Sequence, residues 1–171
     1  MLEMTASALQ DTPPFAGHSP NQERPFGAYA SMTTVFTGIC AAFAAWLRSS
    51  DHELPERVAT GDLALGMVAT HKAARLITRD RVTSTVRAPF TTFQEDAGHG
   101  EVEEAARGHG LRRAIGELLV CPYCLDVWLA TLFLAGLIVA PRPTRWVASL
   151  FTILTGADML QLAYRKAADA A

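Results

Sequence analysis

Cys121-Pro122-Tyr123-Cys124 holds two nucleophilic side chains at a fixed short spacing, immediately before an apolar run. Such a CxxC pair can exchange thiols for a disulfide, supply two ligands of a zinc site, or pack as two small reduced residues. For exchange, Pro122 suits the first position of a helix. Cys121, just before it, would feel the partial positive charge of the helix N-terminus, which lowers a thiol pKa. A glutaredoxin-type centre, however, sits on a strand-to-helix turn of an α/β domain, and the sequence shows neither the strands nor later substrate-binding segments. For zinc, the missing ligands would come from His99, His109 or a second protomer. Both histidines sit in Gly-His-Gly and read first as surface residues. The packing reading leaves two partly buried thiols fixing the start of a helix.

A second constellation comes from charges placed inside apolar stretches. Leu118 to Pro141 contains twelve Leu, Ile, Val or Phe residues and a single charge, Asp126. Residues 146–164 again carry one charge, Asp158. Asp126 lies five residues inside the first stretch from Cys121, and Asp158 six residues inside the second from Tyr164. At 1.5 Å per helical residue both sit about 8 to 9 Å below one face. If residues 56–79 also cross, His71 and Lys72 reach a similar depth, with Arg75 nearer the surface. Deep charges are costly unless paired, so Asp126 and Asp158 are expected to face inward and meet His71, Lys72 or Arg75. That cluster reads either as an ion or proton path or as a set of polar clamps, and one cluster near one face favours clamps.

The elements that must position these groups are helical. The 23 residues between Arg24 and Arg48 carry no charge, long enough to span a hydrocarbon layer of about 30 Å. Tyr29 and Trp46 lie near the ends, where aromatic rings favour the membrane interface. The run from Leu118 favours insertion more strongly. The sequence Pro141-Arg142-Pro143-Thr144-Arg145 reads as a turn joining it to residues 146–164 in an antiparallel helical hairpin. Residues 56–79 show helical periodicity, but Asp62, Lys72 and Arg75 make that helix a poor span by itself. It either crosses while packed on other helices or lies in the interface. Residues 79–93, with a β-branched run and the Ala88-Pro89 break, read as an extended connector. Residues 94–110 are charged and Gly-punctuated, and read as a solvated loop with a brief helical turn. Leu111 to Val120 restarts a helix, with Arg112, Arg113 and Glu117 on its wet side.

The sequence therefore specifies an all-α, multi-pass helical membrane protein with three or four spans, including a C-terminal hairpin. Residues 1–26 form a flexible tail without the basic start and early apolar core of a signal peptide. The membrane domain covers 27–166, with spans near 28–47, 58–78, 120–140 and 146–164, a loop at 79–117, and a short tail at 167–171. With four spans, nine basic residues share one side and four the other, which places the 79–117 loop and both termini in the cytoplasm. A CxxC at that face would stay reduced, because cytosolic thiol pools oppose a stable disulfide. A net charge of −2 and a pI near 6.2 give no footprint for nucleic acid.

Three pieces, RLITRDRVTS (75–84), RAPF (87–90) and GELLVCPYCLDVW (116–128), together resemble the DUF1360 family of small bacterial integral membrane proteins. The resemblance covers roughly residues 60–164. Some members of that family are labelled sporulation proteins, and the family carries no biochemical activity that could be transferred to a residue here. Asp126 stands where a small residue such as Gly is expected after the second Cys-Leu of the pattern. The combined reading is a structural or interaction component of the bacterial inner membrane, with no catalytic residue assigned. Its partners would be the bilayer and a second copy or another envelope protein, and no cofactor is expected unless the CxxC holds zinc. The alternatives are a membrane-tethered thiol redox or metal-binding protein using Cys121 and Cys124, and a soluble helical bundle.

Overall fold

The computed structural model describes residues 24–50 and 54–170, together with Pro13, Phe15, Ala16 and His18. Among the described residues six helices and two strands follow in the order α1 (Phe26–Ser49), α2 (Thr60–Arg79), α3 (Ser84–Arg87), β1 (Thr91–Gly98), β2 (Glu101–Ala106), α4 (Gly110–Val120), α5 (Pro122–Val139) and α6 (Pro141–Asp169). They form two compact units. One contains α1 and the segment 78–121, and the other contains most of α2 together with α5 and α6. Most of the 1–26 tail lies outside the described residues.

In the first unit α1 begins where Pro25 ends the preceding chain, and the Pro25 carbonyl accepts from Ala28 and Tyr29 N–H at 2.9 and 3.0 Å. The helix ends where the Ser49 and Ser50 hydroxyls turn back to the carbonyls of Trp46 and Leu47. Two of its hydroxyls are satisfied locally too, Ser31 and Thr34 donating to the carbonyls four residues back at 2.8 Å.

The expectation of an all-α fold is corrected by a two-stranded antiparallel sheet, β1 with β2. Residues 79–93 are not an extended connector, because Ser84–Arg87 closes one helical turn before β1 starts at Thr91. Residues 94–110 are not a solvated loop either, since most of them build the hairpin. Gly98 pairs with Glu101, leaving His99 and Gly100 as a two-residue turn with φ of 54° and 80°. Positive φ at both central positions is the signature of a type I′ turn, whose twist matches that of the flanking strands. The strand pair also slips register between Phe93 and Glu95 and again between Asp96 and Gly98. Val102 turns inward and is buried, while β1 is exposed beyond Thr91.

Helix α4 docks on β2 through its smallest residues, Ala114 and Gly116, which are buried. A Cβ on Gly116 would lie 2.4 Å from the Phe90 carbonyl oxygen and 3.0 Å from the Ala106 Cβ, so only glycine permits this approach. Leu111, at the start of the helix, is exposed.

In the second unit α5 and α6 form the expected helical hairpin, but the turn is shorter than the sequence indicated. Ala140 alone separates them, and Pro141 to Arg145 form the first turn of α6. Proline is well suited to that position, having a preset φ and no N–H to leave unpaired. The turn is tight because Gly136 admits the Thr144 side chain, whose Oγ1 would lie 2.7 Å from a Cβ there. Phe133 and Phe151 meet edge to face between the two helices, with ring centroids 6.3 Å apart. Helix α6 runs on to Asp169, through the segment read as a C-terminal tail. By length and composition α1, α5 and α6 are each able to cross a membrane, and α2 is not among them.

Candidate functional site

Arg87 is the largest fully buried side chain among the described residues, and its guanidinium is closed in by the segment that precedes and follows it. Nε donates to Glu104 Oε2 at 2.9 Å and Nη2 to Oε1 at 3.1 Å, a two-pronged contact that only arginine can make. Nη1 donates to Thr83 Oγ1 at 2.6 Å, and Nη2 also reaches the Asp80 carbonyl and Ser84 Oγ at 3.0 Å. Glu104 accepts two further bonds, from the hydroxyls of Ser84 at 2.7 Å and Thr91 at 2.6 Å. Four donors on two oxygens fill the usual acceptor capacity of a carboxylate. Side-chain exposure is 0% for Arg87 and 4% for Glu104.

Burial opposes the ionised form of Glu104, but the hydrogen bonds from Arg87, Thr91 and Ser84 and the Arg87 charge outweigh it. They hold the carboxyl below its ordinary range. With both carboxylate oxygens and all three guanidinium nitrogens hydrogen-bonded inside the fold, this knot offers no group to a substrate. Its chemistry is that of a clamp fastening the 80–91 segment to β2. Outer pairs continue the fastening, Arg79 to Glu103 and Arg81 to Asp96 at 2.9 Å. Arg112 of α4 donates from Nε and Nη2 to the Pro89 carbonyl at 2.8 and 2.7 Å. The Tyr29 hydroxyl of α1 donates to Glu117 of α4, which also accepts from Arg113 at 3.1 Å. The sequence marks Tyr29, Arg112, Arg113 and Glu117 as interfacial or wet-side residues, but it indicates none of these pairings.

In the second unit Lys72 Nζ donates to Asp158 Oδ2 at 2.6 Å, joining α2 to α6. His71 and Arg75 lie on the exposed side of α2. Asp126 is on α5, and its Oδ1 is buried without a hydrogen-bond partner among the described residues. Of the five residues expected to cluster, Lys72 and Asp158 are brought together as a pair. A second contact was not anticipated. Arg145 clasps Asp62 with both prongs, Nε to Oδ1 at 2.8 Å and Nη2 to Oδ2 at 2.7 Å.

Cys121 and Cys124 are joined in a disulfide, which corrects the expectation of reduced thiols. A spacing of three residues across the start of α5 places the two side chains on one side of the helical turn, within reach of each other. Cys40 is a free thiol. His99 occupies the hairpin turn, and His109 precedes the first residue of α4. Among the described residues no three His, Cys, Asp or Glu side chains are grouped to hold a metal ion.

The sequence model of the family described as "Protein of unknown function (DUF1360)" matches residues 65–164. The chain belongs to DUF1360. The matched stretch begins within α2 and ends within α6, so the arginine knot, the hairpin, the disulfide and all but the last residues of the helical hairpin lie inside DUF1360, whereas α1 precedes it. A curated relative is the sporulation protein YjcA of Bacillus subtilis (strain 168). It is 29% identical over 102 residues, covering 58% of this chain and 86% of the relative. No solved structure matches the chain.

Proposed function

We propose that this DUF1360 chain is a multi-pass protein of the bacterial membrane, a structural or interaction component of the envelope that serves sporulation. The observation carrying the reading is the outward character of α1, α5 and α6. Val35, Ile39, Leu132, Leu150, Ile153 and Leu160 all stand more than half exposed on helices long enough to cross a bilayer. Threonines on α5 and α6 turn back to their own backbone, Thr131, Thr152 and Thr155 donating to carbonyls four residues back at 2.8 to 3.0 Å. A helix that satisfies its own polar groups and presents aliphatic side chains outward suits lipid and would drive aggregation in water. The link to sporulation is supported by the YjcA relative, and the interaction role by a clamped, exposed hairpin that holds no open chemistry.

The test is fractionation of the expressed chain. It is expected to remain in the membrane pellet through an alkaline carbonate wash and to leave it only with detergent. Recovery as a monodisperse species without detergent would overturn the reading. A second reading is supported by the Cys121–Cys124 disulfide, which a membrane-tethered thiol enzyme would cycle through exchange with a partner dithiol. Serine at both cysteines separates the two. A scaffold keeps sporulation largely intact, whereas a thiol enzyme loses it entirely with the protein still inserted.

A further inference from the structure

We infer that α2 is a fourth membrane span, running parallel to α6 and carried across the bilayer by two ion pairs to it. This rests on the membrane reading above and extends it to a helix whose composition argues against insertion. Asp62 and Lys72 would each be costly in hydrocarbon, and so would Asp158 and Arg145 on the α6 side. The structure joins them two by two, Asp62 with Arg145 and Lys72 with Asp158. Pairing offsets part of that cost, and leaving either partner alone in hydrocarbon would be worse.

The order of the pairs fixes the direction of the helices. Ten residues separate Asp62 from Lys72 on α2, and thirteen separate Arg145 from Asp158 on α6, in the same chain sense. At 1.5 Å per residue the contacts lie about 15 Å apart on one helix and about 20 Å apart on the other. Two contacts that far apart require the helices to lie alongside each other, pointing the same way. A helix lying flat in the interface would meet a crossing helix at a single level. In a chain that crosses repeatedly, the second and fourth spans run parallel, and α2 and α6 are second and fourth in order if α2 crosses.

The surface of α2 fits the same placement. Its buried side is made of small residues, Ala69, Thr70, Ala73 and Ala74, which allow the close backbone approach on which packing between membrane helices depends. On its outer side Leu63 and Met67 are more than half exposed, in position to meet acyl chains, and the same face continues through His71 to Arg75, whose long side chain reaches toward the interface near the helix end.

The span predicts that Glu56, before α2, and Val82, after it, lie on opposite sides of the membrane. With Cys40, Cys121 and Cys124 replaced by Ala, E56C and V82C are each probed with a membrane-impermeant maleimide in intact cells and in inverted vesicles. One site should label only in cells and the other only in inverted vesicles. Labelling of both from the same side, in protein that survives the carbonate wash, overturns the fourth span and leaves the membrane reading standing. Loss of the protein from the washed membrane overturns the membrane reading instead. A protease site inserted after Glu56 or after Val82 in the chain with its native cysteines asks the same question without removing the disulfide, and cleavage of both sites from one side counts against the span. Charge reversal tests the mechanism. K72D alone and D158K alone should each abolish the opposite-sided pattern, and K72D/D158K should restore it. Single variants that keep the pattern, or a double variant that fails to regain it, refute the pair's part in insertion.

Discussion

Arg87 and Glu104 show how a buried charge is tolerated when nothing about it is left unpaired. Each is almost wholly removed from solvent, and the carboxylate accepts from two guanidinium nitrogens and two hydroxyls. Removing one partner strands the other in a dry site, so R87A or E104A should cost about 3–5 kcal/mol of stability in detergent-solubilised protein, read from thermal or denaturant unfolding. R87K keeps the charge but loses the fork, and should fall between R87A and the native chain. The pH dependence follows from the same bonds. Because the folded Glu104 carboxyl lies below the ordinary 4.5, the unfolded chain binds the proton more tightly than the folded one does. The stabilisation is therefore fully present above about pH 4.5 and is lost as the pH falls through the depressed folded value. Unfolding midpoints measured from pH 7 down to pH 3 should drop in the native chain. E104Q, which has no carboxyl to titrate at this site, should lack that component of the fall, and an identical decline in both would refute the assignment.

At the scale of elements, α4 depends on one missing side chain. G116A would drive a methyl to within 2.4 Å of the Phe90 carbonyl oxygen, backbone that cannot swing aside. The helix must then shift away from β2, at about 1–3 kcal/mol for overpacking, visible as a lowered melting temperature. Gly38 of α1, in contrast, has open space around it, and G38A should leave stability within about 0.5 kcal/mol. Elements differed in how far the sequence revealed them. The long helices α1, α5 and α6 could be read because charge disappears from whole stretches of chain. The contact between Lys72 and Asp158 follows from the cost of deep charges, which forces isolated ions toward partners at the same depth. The hairpin escaped notice because β1 is exposed beyond Thr91 and slips register twice, so neither strand carries a sustained apolar alternation. Its one cue was Gly98-His99-Gly100, two positive-φ glycines around a residue type that tolerates the left-handed region. Glu104 was masked by its acidic neighbours Glu101 and Glu103, since a cluster of like charges reads as a wet surface even when one member points inward.

On the scale of the whole molecule, the tryptophans are placed to report how the helices meet lipid. Trp46 lies three residues from the end of α1 and Trp146 five residues from the start of α6, while Trp128 is close to the midpoint of α5. Trp146 and Tyr164 are 80% and 76% exposed, eighteen residues apart on α6, which is about 27 Å and close to the thickness of a hydrocarbon core. Rings at that separation suit the two interfaces, where an amphipathic aromatic side chain is most stable. Three variants that each retain one tryptophan, with the other two replaced by Phe, should therefore respond differently to brominated phospholipids. Trp128 should be quenched most by bromine near the end of the acyl chain. Trp46 and Trp146 should be quenched most by bromine close to the headgroup. Equal quenching of all three by shallow bromine would mean that the helices lie along the surface, and the hairpin of α5 and α6 would then be an interfacial anchor instead of a pair of spans. The depth order separates these arrangements because α5 carries its tryptophan at mid-helix and α6 near its first turn, so no single tilt places both rings at the interface while the hairpin crosses.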